Sequence, residues 1–386
     1  MASKKSKNNQ ATNSGAALVD CEDLMLCVLA RLPVKSIIRF KSVCKHWNHL
    51  FSTQEFVKTQ FKLSNESKNQ SFLVHRVNNK NSSNIFVFNT ESNEKKAKIL
   101  DYPFNHTHVC ISIVGCCNGL VCIKRGKGLV LWNPAMNLSK TLSPLKDHES
   151  VSLGFGYDAE FDDFKVVRIV WLKNKRNLGM CVGCVEVYSV NSDSWTTIDP
   201  SSHFSQLSMY WIDNSATVNG NPYWVVNGNP YWVRNVEIKD DVLICFDMSK
   251  LIFKIVPLSS LDYNKAEQNI EFVDLNGSLG ALVVTWENGE RVEYFDTWVF
   301  DDGEQIWTKS HCVGTIKAKM DRVFRSLKDG RVLGKLPNGE LFMFDSETKF
   351  VEGLFNVGHD FKICDYTASL ACIQGMEKMT LRKRRH

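Results

Sequence analysis

Cys181-Val-Gly-Cys184 has the spacing of a redox dithiol or of half a zinc site. Neither a second Cys-x-x-Cys nor a His pair at zinc spacing accompanies it, so both thiols read as structural. Cys116 and Cys117 are adjacent and fit buried strand-end thiols better than a nucleophile, because no sequence feature supplies an oriented His base. Gly154-Phe-Gly156 reads as a turn, and no Gly-x-Gly-x-x-Gly or phosphate loop occurs. The paired carboxylates Asp162-Asp163 and Asp301-Asp302 fall at turn tips, where solvated acids are the rule. Trp47 and Trp132 read as core residues rather than ligand stacks. These residues predict no catalytic group, no metal and no cofactor, which directs attention to binding.

The elements that would hold a binding surface must come from 386 residues of 44% hydrophobic content, enough for one large domain and a small one. The polar, basic start Met1-Ala-Ser-Lys-Lys and the lack of any run of eighteen apolar residues predict neither a signal peptide nor a membrane span. Thirteen cysteines scattered through apolar stretches fit a reducing compartment, cytoplasmic or nuclear, in which the Asn105-His106-Thr107 sequon has no use. The formal charge of +5 is spread along the chain, so no nucleic-acid footprint is expected. Only the termini are locally basic. The segment Leu381-Arg-Lys-Arg-Arg-His386 reads as a solvated end, with a nuclear address as the sharper alternative.

Residues 1–17 read as a disordered tail and 18–62 as a helical module. Leu24, Met25, Val28, Leu29 and Leu32 share one face of a helix for which Asp20 is the expected N-cap. Pro33 ends that helix and opens a second with Val34, Ile37 and Ile38; a third carries Val43, Cys44, Trp47, Leu50 and Phe51. Three short helices bury little apolar surface alone, so a partner protein is expected to cover part of them.

The run from Glu22 to Phe51, with Leu32-Pro-Val-Lys-Ser36 and Val43-Cys-Lys-His-Trp47 inside it, resembles a plant F-box. That resemblance implies docking onto the Skp adaptor, which joins an F-box protein to a cullin scaffold. Carried over by position, it gives adaptor-facing or module-core roles to Leu24, Leu32, Pro33, Ile37, Ile38, Val43, Cys44 and Trp47. Where the family opens with Leu-Pro, this chain has Asp20-Cys21, which weakens the first anchor.

From residue 70 to 386 the sequence reads as an all-β domain, with β-branched and aromatic runs such as Ile85–Phe88, Lys165–Trp171, Val185–Val190 and Leu282–Trp286 between turn residues. A short motif recurs as Val87-Phe-Asn89, Leu131-Trp-Asn133, Val187-Tyr-Ser189, Cys245-Phe-Asp247, Val299-Phe-Asp301 and Met343-Phe-Asp345. Several copies carry a second large apolar residue six positions beyond the turn residue: Trp195, Phe253, Trp307 and Val351. A period of roughly fifty residues is that of a kelch-like β-propeller of six or seven blades. A large β-sandwich is the competing architecture.

Further motifs in this region resemble the F-box-associated interaction domain of plants: Gly115-Cys-Cys-Asn-Gly-Leu-Val-Cys122, Leu131-Trp-Asn-Pro134, Gly154-Phe-Gly-Tyr-Asp158, Asp163-Phe-Lys-Val-Val167 and Val185-Glu-Val-Tyr-Ser189. Together the two resemblances imply the substrate receptor of a ubiquitin ligase, non-catalytic itself, that brings cargo lysines near a loaded conjugating enzyme. The chain is also similar to S-locus F-box proteins of pollen, which implies a pistil S-ribonuclease as cargo. Two other readings stay open: a propeller binder with a degenerate F-box acting outside a ligase, and a propeller enzyme with a cofactor in its channel.

Val218-Asn-Gly-Asn-Pro-Tyr-Trp-Val225 is repeated at once as Val226-Asn-Gly-Asn-Pro-Tyr-Trp-Val233. An even insertion preserves strand alternation, so a blade can absorb it. A turn at Asn227-Gly228 would make one copy an extra ribbon, with Tyr223, Trp224, Tyr231 and Trp232 as candidate cargo contacts.

Overall fold

The computed structural model describes residues 21–67, 70–77, 83–90, 97–103, 111–143, 151–173, 180–200, 211–227, 242–262, 268–287, 291–313, 320, 322–358 and 360–379. Helices α1 (Cys21–Ala30), α2 (Val34–Phe40), α3 (Lys45–Leu50) and α4 (Gln54–Glu66) come first. Pro33 N-caps α2, where its missing N–H costs nothing. The Cys44 sulfur caps α3 by accepting from the Trp47 amide at 3.4 Å, and Thr53 caps α4 through Phe56 N at 3.4 Å. The predicted cap Asp20 lies outside the described residues. The fourth helix was not expected: its apolar positions Phe56, Val57 and Leu63 are diluted among Gln, Lys and Asn, which masks the stripe.

Six antiparallel sheets follow. Blade 1 holds β1 (Ser71–Val77), β2 (Ser83–Asn89) and β3 (Lys98–Leu100). Blade 2 holds β4 (Ser112–Cys117), β5 (Leu120–Arg125), β6 (Gly128–Asn133) and β7 (Leu138–Thr141). Blade 3 is β8 (Val151–Asp158), β9 (Asp163–Lys173), β10 (Met180–Ser189) and β11 (Ser194–Ile198). Blade 4 is β12 (Trp211–Val218), β13 (Asn221–Asn227), β14 (Val242–Asp247) and β15 (Ile252–Val256). Blade 5 is β16 (Gln268–Leu275), β17 (Ser278–Glu287), β18 (Arg291–Asp301) and β19 (Ile306–Val313). Blade 6 is β20 (Arg322–Ser326), β21 (Arg331–Lys335), β22 (Glu340–Asp345) and β23 (Val351–Asn356). The chain then returns to blade 1, where β24 (Phe361–Tyr366) pairs with β1 and closes a six-bladed propeller; β25 (Glu377–Lys378) joins the outer edge of blade 2.

Each sheet is buried on both faces, and six apolar cores fill the seams between neighbouring blades. Phe72 and Val74 of β1 point into the seam with blade 6, and Leu73 between them points into the seam with blade 2. Inner strands therefore read as continuous apolar runs rather than as apolar–polar alternation.

The recurring motif closes the third strand of every blade, at Asn89, Asn133, Ser189, Asp247, Asp301 and Asp345. Its last side chain works as a turn clamp: Asp247 Oδ1 accepts from the amides of Ser249 and Lys250 at 3.2 and 2.9 Å, and Asp301 Oδ1 from Gly303 and Glu304 at 2.8 and 3.0 Å. Four residues on, Asn137, Asp193, Leu251, Gln305 and Lys349 take left-handed φ values of 52° to 59°, which turns the chain back into the fourth strand. The aromatic of the motif then stands opposite the later large residue, as Tyr188 does Trp195 with ring centroids 5.4 Å apart and Phe246 does Phe253 at 4.8 Å.

The seam that closes the ring contains a pH-sensitive group. His75 of β1 faces Lys362 of β24, is almost fully buried, and its Nε2 has no hydrogen-bond partner among the described residues. Burial pushes its pKa down to about 4, with Asp360 opposing and Lys362 assisting. The folded value lies below the unfolded one near 6.5, so the neutral-His contribution is complete above about pH 6.5 and is lost as pH falls through the window down to about 4. The full loss is about 3 kcal/mol. Urea midpoints measured at pH 7 and pH 4.5 should fall further for the wild type than for His75→Gln; equal falls would mean that His75 does not titrate in this seam.

Candidate functional site

The helical module is packed around Leu29, Ala30, Val34, Ile37, Phe51 and Phe56, with an aromatic file Phe40, Trp47, Phe51, Phe56 whose successive ring centroids lie 5.7, 5.8 and 5.0 Å apart. Ile37, fully buried, belongs to this core and offers no surface to a partner. Leu32, Ile38 and Trp47 are half-buried at its margin, and Pro33 and Cys44 are exposed caps. Among the described residues of the module, the large apolar side chains left uncovered are Leu24, Val28 and Val43, at 60%, 56% and 62% exposure. Leu24 and Val28 stand one turn apart on the same face of α1, next to exposed Cys27. The sequence places Val28 on the apolar face of α1 without an adaptor-facing role, because it shares its periodicity with core residue Leu29 and only packing tells the two apart.

The module sits on one end of the propeller. Within each meander, the first-to-second and third-to-fourth strand connections lie at the same end, and α4 lies there too. Lys58 of α4 pairs with Asp162 in the β8–β9 turn at 2.9 Å. Asn65 accepts from Thr367 at 3.1 Å and through its carbonyl from Lys328 in the β20–β21 turn, whose own amide donates to Gln70 at 2.8 Å. Residues 367–376 form a strap between β24 and β25 that lies between the helices and blade 2. Ala368 and Leu370 of the strap enter the helical core from below, together with Ala135 and Met136 of blade 2. Asn133 Nδ2 fixes the strap by donating to the carbonyls of Ser369 and Ala371 at 3.0 and 2.8 Å. Gly119 permits this contact, since a Cβ there would lie 2.2 Å from that of Ser369.

At the propeller axis, β4, β8, β12, β16, β20 and β24 enclose a cavity of about 1030 Å³, whose mouth on the helical side is lined by Phe61, Lys62, Asn65 and Glu66 of α4. Its wall carries the ion pair Arg325–Asp365, with Arg325 Nε 3.2 and 2.9 Å from the two carboxylate oxygens. Burial raises the Asp274 carboxyl above its usual range. Among the described residues, no group of three or more His, Cys, Asp or Glu could hold a metal. Cys181 lies at the β10 edge with its thiol donating to Leu172 O at 3.5 Å, and Cys184 follows a bulge; both are free.

The tandem repeat behaves differently from its expectation. The hairpin turn falls at Asn219-Gly220, with φ of 48° and 78°, so the first copy supplies the end of β12 and most of β13 in the blade itself. Trp224 is fully buried in the seam between blades 3 and 4, its indole N–H donating to Leu153 O at 3.2 Å. A cargo contact at Trp224 is therefore corrected: Gly154 leaves the space that the indole fills; the ribbon expected beyond Asn227 falls outside the described residues. Tyr223 is half-buried beside Cys245. Tyr231 and Trp232 lie outside the described residues, as does Gly228.

Two family models match the chain: an F-box domain at residues 21–59 and an F-box associated beta propeller domain at residues 72–356. An F-box/kelch-repeat protein of Arabidopsis thaliana is 27% identical over 253 residues, 63% of this chain and 61% of that protein, so the match spans less than two thirds of the relative's length. A second F-box/kelch-repeat protein of Arabidopsis thaliana is 28% identical over 314 residues, 75% of this chain and 77% of its own. Among solved structures, an oligogalacturonate lyase in complex with manganese aligns at 10% identity and a TM-score of 0.40 over 71% of each chain, a likeness from which no activity follows.

Proposed function

The chain belongs to the F-box proteins with an F-box associated beta propeller domain, and from that premise we propose that it is the substrate-receptor subunit of an SCF-type ubiquitin ligase. The observation that carries the reading is the pairing of two opposed surfaces. Leu24, Val28 and Val43 are left uncovered on the helical module, while the described contacts of the module with the propeller fall at one end of it. The Skp adaptor would cover the first surface and, through it, the cullin scaffold would be recruited. Cargo would be held at the propeller end away from the helices. Topology places there the connections between second and third strands, among them the turns Arg125–Gly128 and Leu336–Gly339. The strap and the α4 contacts fix one surface relative to the other, so that captured lysines are presented at a set distance from the ubiquitin-loaded enzyme. On this reading the chain does no bond chemistry of its own.

The test is co-purification of the full chain with the Skp adaptor and cullin, for the wild type and for a variant with Asp20-Cys21 changed to Leu-Pro. Recovery of both partners with the wild type supports the receptor role. Recovery only with the variant would instead make this a propeller binder that has left the ligase. Cargo recovered from such complexes then decides between a pistil S-ribonuclease and other proteins.

A further inference from the structure

The axial channel carries positive charge that the receptor role leaves unused. Arg325 of β20 is almost fully buried and lines the cavity; its Nε spans both oxygens of Asp365 on β24, and its Nη1 donates to Phe324 O at 2.7 Å. Nη2 has no hydrogen-bond partner among the described residues. Lys362 also lines the cavity, three residues before Asp365 on β24 and so about 10 Å from it along the strand. Its ammonium donates to the carbonyls of Ile113 at 3.1 Å and Val114 at 3.3 Å, at the β4 bulge. Among the described residues no carboxylate pairs with it. An ammonium satisfied by carbonyl dipoles alone keeps its charge uncompensated, and a channel walled by protein screens that charge less than open water does.

The acids of the wall do not cancel this charge. Asp365 is engaged by Arg325. Asp274 of β16 accepts from the Gly277 amide at 2.6 Å, and burial raises its carboxyl, so it ionises less readily than a surface acid. At the mouth Lys62 and Glu66 of α4 offset each other, and Lys328 adds a further cation that donates to Asn65 O. The wall therefore favours negative charge in the space beside Arg325 and Lys362.

We propose that the channel binds a small organic anion, a metabolite bearing a carboxylate or a phosphate monoester, with its charged end between Arg325 and Lys362. The volume of about 1030 Å³ is that of a metabolite site rather than of a few waters. The oxyanion accepts from Arg325 Nη2 and from the remaining N–H of Lys362, both charge-assisted bonds. The rest of the ligand extends toward the mouth, where Lys62 and Asn65 belong to the helical module. A ligand so placed touches α4 and the inner strands together. The inference does not depend on the adaptor or cargo roles, and its test uses neither partner.

Titration calorimetry of the full chain at low ionic strength, with citrate and with glucose 6-phosphate as probes and glucose and spermidine as controls, tests the site. At least one of the two anions should bind with one-to-one stoichiometry, and neither control should; the tighter anion tells a carboxylate ligand from a phosphate one. Lys362→Met should weaken that anion roughly tenfold, the loss of one charge-assisted hydrogen bond. Because Lys362 also holds the β4 bulge, a second variant is read beside it. Lys62→Glu changes an exposed residue of α4, leaves the core untouched and should weaken the same anion about threefold through charge alone, a difference that added salt narrows. The proposal is overturned if neither anion binds at millimolar concentration, if spermidine binds instead, or if both variants bind the anion as the wild type does, which would mean an adventitious surface ion only.

Discussion

Leu24→Asp combined with Val28→Asp is expected to abolish capture of the Skp adaptor while leaving the fold intact. Both side chains are largely exposed, so their loss removes almost nothing from the helical core. In a complex they would be covered, and each contributes about 2 kcal/mol when an apolar side chain of this size leaves water. Two carboxylates forced into the same interface without partners add a desolvation penalty of several kcal/mol. The sum corresponds to a fall in affinity of about a thousandfold or more. Titration calorimetry against purified adaptor reads the affinity, and circular dichroism with a urea titration reads the fold. An affinity within a factor of three of wild type would mean that the α1 face is not the docking surface. Ile37→Asp is the contrasting control: it should lose binding only because the buried core collapses, and its urea midpoint should fall with it.

The second large effect concerns the tandem repeat. Trp224→Ala removes a fully buried indole from the seam of blades 3 and 4, where it packs with Val167, Ile169, Val185 and Phe246 and donates to Leu153 O. Substitutions of this kind cost about 3 to 5 kcal/mol, a large share of the 5 to 15 kcal/mol that holds a typical domain together. The urea midpoint should drop sharply, and cargo binding should fall only in proportion to the folded fraction. A variant with unchanged stability and weakened cargo binding would place Trp224 at a recognition surface after all. Tyr223→Ala should cost less, because that ring is half-buried.

The propeller was legible because one local device recurs: an acceptor side chain at Asn133, Asp247, Asp301 or Asp345 that must clamp its own turn, preceded by an aromatic residue that must fill a seam. Such a device is written in three consecutive residues and survives the loss of most other similarity between blades. The closure by β24 was not legible, because its partner β1 lies almost the whole chain away and Phe361–Tyr366 carries no turn signal. The F-box was legible from Leu32-Pro-Val-Lys-Ser36 and Val43-Cys-Lys-His-Trp47, but the division of its apolar residues into core and surface was not. Ile37 and Val43 are both apolar, and only the inclusion of Ile37 in the cluster with Phe51, Phe56 and Leu370 of the strap makes one inaccessible and the other exposed. Trp224 misled for the opposite reason: a duplicated aromatic segment looks like an addition to the fold, whereas the first copy is the blade's own hairpin.

The strap that carries Ala368 and Leu370 into the helical core follows all six blades in the sequence, while the helices it supports precede them. A ribosome therefore delivers the F-box helices first and their seat last. Through most of translation the F-box module must exist without its permanent support, and adaptor bound early would act as its temporary one. A product of premature termination after β23 would keep Leu24 and Val28 but lack both the closing strand and the strap, and would occupy adaptor without delivering cargo. Nonsense alleles in the last blade should then act dominantly over the intact copy, whereas alleles that stop within α1 should be recessive.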